Sequence, residues 1–391
     1  MKKIAKMSRK AIYLRDQRNH KIYINNLLNE VDFTVVKNKR PKEIKVITFV
    51  IPGLPAFSGG HTSILRLGTE LSNKGYIVNY ASFAYQSVEE MTNNAKINLS
   101  GYKGNIYNSE LENIKSDVVI ATSWESVYYS RKMAGYKMYF IQDYEPYFNL
   151  YGECYIMAEK SYEVGYHMVS LGNWNKYMIE KECKINSKID SITFPYEGGE
   201  YYEKGRNFAE YPSKKEFNIA AYLKDTGKRA PYITQYLLNR LKNELSVDGI
   251  TLNVKYYGED KSFKCEGGEN LGKLSKAQLL ELYNNSDFGF VASLTNVSLV
   301  PYEMLATGLP IIEFEEGTFK HFFEDGCGIL TSFDYNDLYK NFKHYIKSPN
   351  ELQSMHDKSL EYLKTLSWKK TGEEFKAILD GIILKEEVER V

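Results

Sequence analysis

Cysteine is scarce, with four in 391 residues, at positions 154, 183, 265 and 327. None pairs with another at C-x-x-C spacing, and none has a histidine at zinc-finger distance. Neither a disulfide framework nor a structural zinc site is expected, and reduced, mostly buried thiols fit the cytosol. No apolar stretch reaches 18 residues, so no segment is expected to span a bilayer. The basic N-terminus lacks the apolar core of a secretory signal. Neither sign of charge dominates: 51 Lys and Arg face 50 Asp and Glu, a net +1. That balance gives no overall field for a polyanion such as bulk nucleic acid. The fingerprints G-x-G-x-x-G and G-x-x-x-x-G-K-[ST] are absent, which counts against a dinucleotide-dependent dehydrogenase and a P-loop NTPase.

What is present is ordinary for a folded chain: 43% hydrophobic and 26% charged residues exclude disorder over most of the length. The length suits two or three domains. Thirty-three tyrosines and 14% aromatics are unusual, and a base-composition bias explains them as readily as stacking surfaces. Residues 1–43 read as a basic extension. Residues 1–21 carry eight Lys and Arg against Asp16, with Ile4, Met7, Ile12 and Tyr13 as a rough apolar stripe. Such a segment is either a solvated extension or a strip that lies on an anionic membrane surface.

From residue 44 short β-rich runs alternate with helical periods. Strands are expected at 46–51, 77–83, 117–121, 138–142, 167–171 and 190–194, with helices near 62–74, 124–134 and 173–184. A polar segment, 198–216, reads as a linker. The rhythm then restarts, with strands at 217–223, 252–257, 287–292, 309–313 and 328–331 and helices at 230–245, 275–285 and 299–307. The tail from 334 is mostly helical. Strands separated by helices imply an α/β chain with parallel sheets covered on both faces, wound twice. The expected domains are 44–197 and 198–369, with a last helix near 370–391 returning to the first. Ligands in such folds bind beyond the carboxyl ends of the strands, which points to a cleft between the two sheets.

Five segments carry candidate chemistry. The loop 52–61 (PGLPAFSGGH) follows the first strand; Gly59 and Gly60 let backbone approach a ligand at a helix N-terminus, and His61 stands at its mouth as either a ligand contact or a capping residue. Thr122 and Glu125 fit a capping box, beside Trp124, which either stacks on a sugar face or fills the core. In QDYEP, Asp143 and Glu145 flank Tyr144 just past a strand end, where they suit acid–base work or orientation of a hydroxyl. Lys224, Lys228 and Arg229 surround Gly227 at a strand-to-helix junction, a setting for a diphosphate whose charge grows as it leaves. The fifth, TNVSLVPYEMLATGLP (295–310), runs from a polar loop into a short helix. Ser298 is its expected N-cap, with Leu299 and Val300 in the first turn, and Glu303 lies among apolar neighbours, expensive unless it binds something.

This last stretch resembles the donor-binding signature of retaining GT-B glycosyltransferases of family four, roughly E-x7-E-A-M-A-x-G-x-P. Glu303, Ala306, Gly308 and Pro310 match, Met304 is displaced by one place, and Thr295 stands where the first Glu belongs. The Gly-Gly loop, QDYEP, the K-x4-R loop and the segment 367–375 (SWKKTGEEF) are similar to bacterial rhamnosyltransferases of the S-layer-glycan type. The resemblance covers about residues 44–380. It implies two Rossmann-like domains facing a cleft, a nucleotide-diphospho-sugar donor (dTDP-β-L-rhamnose first) and no other cofactor, and a glycan or lipid-linked glycan as acceptor.

By that resemblance Lys224, Arg229 and Glu303 carry catalysis. Gly59, Gly60, Lys228, Thr295, Ser298, Leu299 and Val300 contact the donor, and His61, Trp124, Asp143, Tyr144 and Glu145 face the acceptor. No D-x-D occurs, so a metal-bridged diphosphate is not expected. The implied setting is the cytoplasm, with peripheral contact at the inner membrane face through residues 1–43. Alternatives are another donor (UDP-hexose or GDP-mannose), a non-catalytic scaffold with the same shell, which the missing Glu at Thr295 favours, and an isomerase or epimerase that needs no acceptor.

Overall fold

The computed structural model of the chain describes Arg15, residues 18–108 and residues 110–383. The expectations placed on residues 1–14, 16, 17 and 384–391 lie outside them. Contacts divide the chain into two compact units. The first holds the described residues up to Ser170, Met178–Asp190 and those from Phe375; the second holds Leu171–Tyr177 and Ser191–Glu374.

The first sheet collects β1 (Val46–Ile51), β2 (Ile77–Ser82), β3 (Asn105–Tyr107), β4 (Val118–Ala121), β5 (Tyr136–Ile141), β6 (His167–Leu171) and β7 (Ile189–Ile192) in the order β3-β2-β1-β4-β5-β6-β7. Pairs from β3 through β6 are parallel. Runs such as VITFVI and VVIA are apolar at consecutive positions because both faces of the sheet are covered. Between the strands lie α1 (Gly59–Asn73), α2 (Val88–Asn98), α3 (Trp124–Tyr129), α4 (Glu153–Ser161) and α5 (Asn173–Glu182). The order reverses between β1 and β4, so a crevice opens beyond their carboxyl ends.

Two local expectations are corrected here. The N-cap of α3 is Ser123, whose hydroxyl pairs reciprocally with Ser126. Thr122 instead donates to the Val50 carbonyl (2.8 Å), and Glu125 accepts from the Tyr23 hydroxyl (2.9 Å). Nor is all of 1–43 a separate extension. Residues 18–30 are helical, Ile24 and Leu27 are buried, Arg131 pairs with Asp32 (2.8 Å), and the Val36 N–H donates to the Val164 carbonyl. The apolar positions of this stretch have a surface to bury against, so its later half packs onto the first unit.

The second sheet holds β8 (Glu216–Tyr222), β9 (Thr251–Tyr257), β10 (Glu269–Asn270), β11 (Phe288–Phe290), β12 (Ile311–Phe314) and β13 (Ile329–Thr331), in the order β10-β9-β8-β11-β12-β13, all parallel. It repeats the first topology, with its reversal between β8 and β11. The helices are α6 (Pro231–Val247), α7 (Lys276–Asn284), α8 (Leu299–Ala306), α9 (Tyr335–Tyr345), α10 (Pro349–Lys364) and α11 (Trp368–Ile382). Leu237, Leu241 and Leu245 of α6 are fully buried, one helical turn apart. The segment 198–216 is no free linker: Tyr201, Phe208 and Tyr211 are buried, the last two in the second core.

The helix α1 approaches β2 through Gly68, where an added methyl would collide with the Tyr80 ring. The Tyr80 hydroxyl is held by the Leu65 and Lys103 carbonyls (3.3 and 3.0 Å) and cannot swing away freely. Alanine favours helix by about 1 kcal/mol over glycine, but overpacking a fixed ring costs roughly 1–3 kcal/mol. Gly68→Ala should therefore lower stability by about 1 kcal/mol or more in denaturant titration; a gain in stability would show that the contact is not tight.

Candidate functional site

The second unit concentrates unusual polar groups beyond β8 and β11. After β8 the chain makes a short turn (Gly227–Arg229) and then puts Ala230 in the left-handed region (φ 43°) before Pro231 opens α6. That costly conformation for a residue with a Cβ accompanies a side chain turned inward. Arg229 is 6% exposed, and its guanidinium donates to the carbonyls of Ala292 and Asn296 (both 3.1 Å), the Ser293 hydroxyl (3.4 Å) and Asn296 Oδ1 (3.0 Å). Beneath it Glu313 on β12, fully buried, accepts from the N–H and hydroxyl of Ser293 (3.1 and 2.8 Å). Burial pushes Glu313 up to about 8, against the hydrogen bonds of Ser293 and the charge of Arg229.

Four hydrogen bonds from Nη1 and Nη2 tie Arg229 to the loop 292–296, so it shapes that loop. Lys224 and Lys228 are half-buried in the same turn, and Lys224 lies near Glu259, whose carboxylate caps the Asp225 and Asp260 N–H groups.

The loop that Arg229 holds delivers α8. Ser298 occupies the N-cap position, yet its hydroxyl caps nothing, contrary to expectation; Ser298 Oγ and Thr295 Oγ1 are both buried without a protein partner. Buried hydroxyls are normally satisfied. Two unspent ones beside free helix N–H groups make a receptor for an oxygen-rich ligand. Val300 is half-buried and Leu299 exposed at the same helix start. Gly308 (φ +67°) ends the helix in a conformation that suits glycine.

Glu303 lies midway along α8 within a ring of tyrosines. Tyr196, Tyr201, Tyr222, Tyr257 and Tyr283 all sense its charge. Tyr283 is 5.8 Å, centroid to centroid, from both Tyr201 and Tyr257, and its hydroxyl shares a 2.9 Å hydrogen bond with that of Tyr257. Burial pushes Glu303 up to about 7; Glu200 adds to the rise, while Lys276 and the Tyr283 and Tyr201 hydroxyls oppose it. A half-buried acid titrating near neutrality, with no salt-bridge partner within reach among the described residues, is characteristic of a ligand site. The sequence offered Glu303 but not the tyrosines, which are scattered over 90 residues, nor Glu313, whose only signal was one acid inside an apolar strand.

In the first unit the expected residues divide. The loop after β1 is stapled by Gln86, Asn94 and Asn98, which bond the backbone of Leu54, Pro55 and Ser58. His61 Nδ1 pairs with the Ser58 hydroxyl (2.7 Å), and burial depresses its pKa. A methyl added at Gly59 would meet nothing, so that position stands open. Phe57 beside it is 89% exposed at φ 56°.

Trp124, Asp143, Tyr144 and Glu145, in contrast, are all buried. Glu145 Oε2 accepts from the Trp124 N–H (2.6 Å) at the start of α3, and burial pushes its carboxyl well above the usual range, against the hydrogen bonds of Trp124 and Tyr139. Tyr144 bonds Glu159 (3.1 Å), and Asp143 accepts the Tyr144 N–H (2.9 Å). These four pack inward and do not face solvent; the exposed aromatics are the next ones along, Tyr147, Phe148 and Tyr151. Among the described residues, no group of three His, Cys, Asp or Glu is arranged to hold a metal ion.

No family model matches the chain. Solved structures do. The fold is similar to sucrose-phosphate synthase of Thermosynechococcus elongatus (TM-score 0.61, 11% identity, 86% of this chain and 99% of that one). It is also similar to WaaG, a glycosyltransferase involved in lipopolysaccharide biosynthesis (0.59, 14%, 86% and 100%), and to HepE of Anabaena, solved with UDP and glucose (0.61, 9%, 86% and 100%). By sequence, 208 residues are 26% identical to the O-antigen biosynthesis protein RfbC of Myxococcus xanthus, over 52% of this chain and 16% of that protein. The chain thus spans only a small part of that relative's length. The structural likeness establishes the fold: two Rossmann-like domains of the GT-B type.

Glu303 generates a pH prediction. Its folded value near 7 exceeds the ordinary 4.5, so between those values the native state binds a proton that the unfolded chain does not. Its contribution to stability therefore falls as pH rises from about 4.5 through 7. Glu303→Gln should gain on the parent chain as pH rises from 5 to 8, by up to about 3 kcal/mol, in denaturant titrations at each pH. A pH-independent difference would refute the buried-acid assignment. Arg229→Met should lose about 3 kcal/mol by the same measurement, since it leaves four buried or half-buried acceptors unpaired and removes the positive charge above Glu313.

Proposed function

We propose that the chain is a glycosyltransferase of bacterial cell-surface polysaccharide synthesis. It takes a sugar from a nucleoside-diphosphate donor and passes it to a hydroxyl of a growing glycan, with retention and without a metal bridging the diphosphate. The first-choice donor is dTDP-β-L-rhamnose; UDP-hexose and GDP-mannose are the alternatives. The observation that carries the reading is Glu303: an acid kept half out of water, at the topological reversal of the second sheet, on a helix whose N-terminus carries two unspent hydroxyls. Such a carboxyl accepts hydrogen bonds from ribose or sugar hydroxyls, and they offset its burial.

The chemistry follows from the neighbours. As the glycosidic bond to the diphosphate breaks, negative charge grows on the leaving oxygens. The Lys224 and Lys228 ammonium groups and the first N–H groups of α8 stabilise that charge, and Arg229 holds the loop that aims them. Thr295 and Ser298 hydroxyls take sugar or phosphate oxygens. On the acceptor side, the stapled loop offers the exposed Phe57 ring and His61 to a saccharide, and the open backbone at Gly59, next to Gly60, is left for the donor. The names of WaaG and RfbC, and the UDP and glucose bound to HepE, agree with this class of donor and product. Thr295 in place of a second acid supports the alternative of a non-catalytic binding shell.

A panel of dTDP-β-L-rhamnose, UDP-hexoses and GDP-mannose, read by thermal shift and by nucleotide release, separates these. One donor should stabilise the purified protein and release its nucleoside diphosphate. Lys224→Ala should slow that release about 10²–10³-fold with little change in melting temperature. Binding without turnover, with any acceptor, supports the scaffold; no binding at all rejects both.

A further inference from the structure

The polar segment before β8 carries one side chain that reaches two helices at once. Arg206 Nε donates to the Thr307 carbonyl (2.9 Å), just past the end of α8. Its Nη1 donates to the Ser286 carbonyl (2.7 Å) and its Nη2 to the Tyr283 carbonyl (2.6 Å), at the end of α7. The last carbonyls of a helix have no partner within it and carry its negative pole, so a cation there is favoured. One planar, rigid fork across two helix ends fixes their separation as well as their charge.

Glu303 is on α8 and Tyr283 on α7, and the charge of the acid and the phenol act on each other. Arg206 arrives preorganised. Glu203 bonds His356 (2.9 Å), the Lys204 N–H and ammonium bond Asn284 (2.9 Å) and Glu281 (2.8 Å), and Asn284 donates to the Tyr202 carbonyl (3.2 Å). The same strap buries Tyr201 against Tyr283.

We propose that Arg206 is a positioning residue for Glu303: by clamping the ends of α7 and α8 it sets the distance between the Glu303 carboxyl and the tyrosine hydroxyls that face it, and so the affinity for donor. The segment 200–207 is then a wall of the site and not a connector. The part concerning donor rests on the function proposed above; the part concerning Glu303 does not.

The test uses the full chain with Arg206→Lys, Arg206→Met, Tyr283→Phe, and Lys204→Ala as a control that removes the Lys204–Glu281 ion pair on α7 but leaves the three Arg206 bonds to the helix-end carbonyls in place. The first readout needs no ligand. The stability difference between Glu303→Gln and its parent, followed from pH 5 to 8, reports the titration of Glu303 in place. In the Arg206→Lys background that pH dependence should shift its midpoint by half a unit or more, as it should in Tyr283→Phe, whereas Lys204→Ala should leave it unmoved. A lysine retains one or two of the three bonds, so the fold survives and the comparison holds. An unmoved midpoint in Arg206→Lys, with only a lowered melting temperature, reduces Arg206 to a structural residue and overturns the inference.

The second readout is the KM for dTDP-β-L-rhamnose and UDP-glucose. It should rise about tenfold in Arg206→Lys with a smaller change in kcat, and the effects of Arg206→Lys and Tyr283→Phe should be less than additive in the double variant. Additive effects would overturn coupling through Tyr283. If the parent chain binds neither of these donors nor GDP-mannose while the midpoint still shifts, the function fails and the positioning role stands.

Discussion

A guanidinium removed from water must find a protein acceptor for its N–H groups, and the second unit is arranged around that demand at Arg229. The residue after it accepts a left-handed backbone, and the loop after β11 turns its carbonyls inward to meet it. A carboxyl on the next strand braces the loop from below. Once the loop is fixed, the start of α8 is fixed, and with it the direction in which Ser298, Thr295 and Glu303 present themselves. Loosening that one contact would release the polar edge of the sheet, although none of the strands would change register.

Three buried or half-buried acids show how the same side chain serves different ends. Glu145 in the first unit accepts a helix N–H, and burial pushes its carboxyl upward; it is a strut. Glu313 is spent on Ser293 beneath Arg229. Glu303 alone is surrounded by groups that tolerate its charge without consuming it: phenol hydroxyls, one distant lysine and no capped N–H. Structural acids have their lone pairs occupied. Glu303, at the sheet reversal, has no backbone donor among the described residues, and this separates it from the other two on physical grounds.

Most of the architecture was legible because buried parallel strands are written as short apolar runs and their helices as four-residue periods. VITFVI and the leucines of α6 are unambiguous in that respect. The motif 295–310 was legible too, since an acid between apolar neighbours and a glycine at the helix end need no partner to be noticed. What failed were side-chain destinations. Asp143 and Glu145 stand past a strand end, as a functional pair would, yet the chain folds them under and exposes Tyr147 and Phe148. Arg229 and Lys224 look alike in a basic loop; only the φ of Ala230 separates the one that turns inward. The segment 198–216 has no period, because its anchors (Tyr201, Arg206, Phe208, Tyr211) each meet a different partner.

The ring of tyrosines has an optical consequence. Phenols in it are held protonated far above their ordinary range by burial and by the acid they enclose. In an alkaline absorbance titration the chain's 33 tyrosines would split, an exposed group ionising first and a buried group, drawn from both units, appearing only as the fold opens. The protein thereby contains an intrinsic chromophore for the integrity of its own packing, one that needs neither label nor substrate.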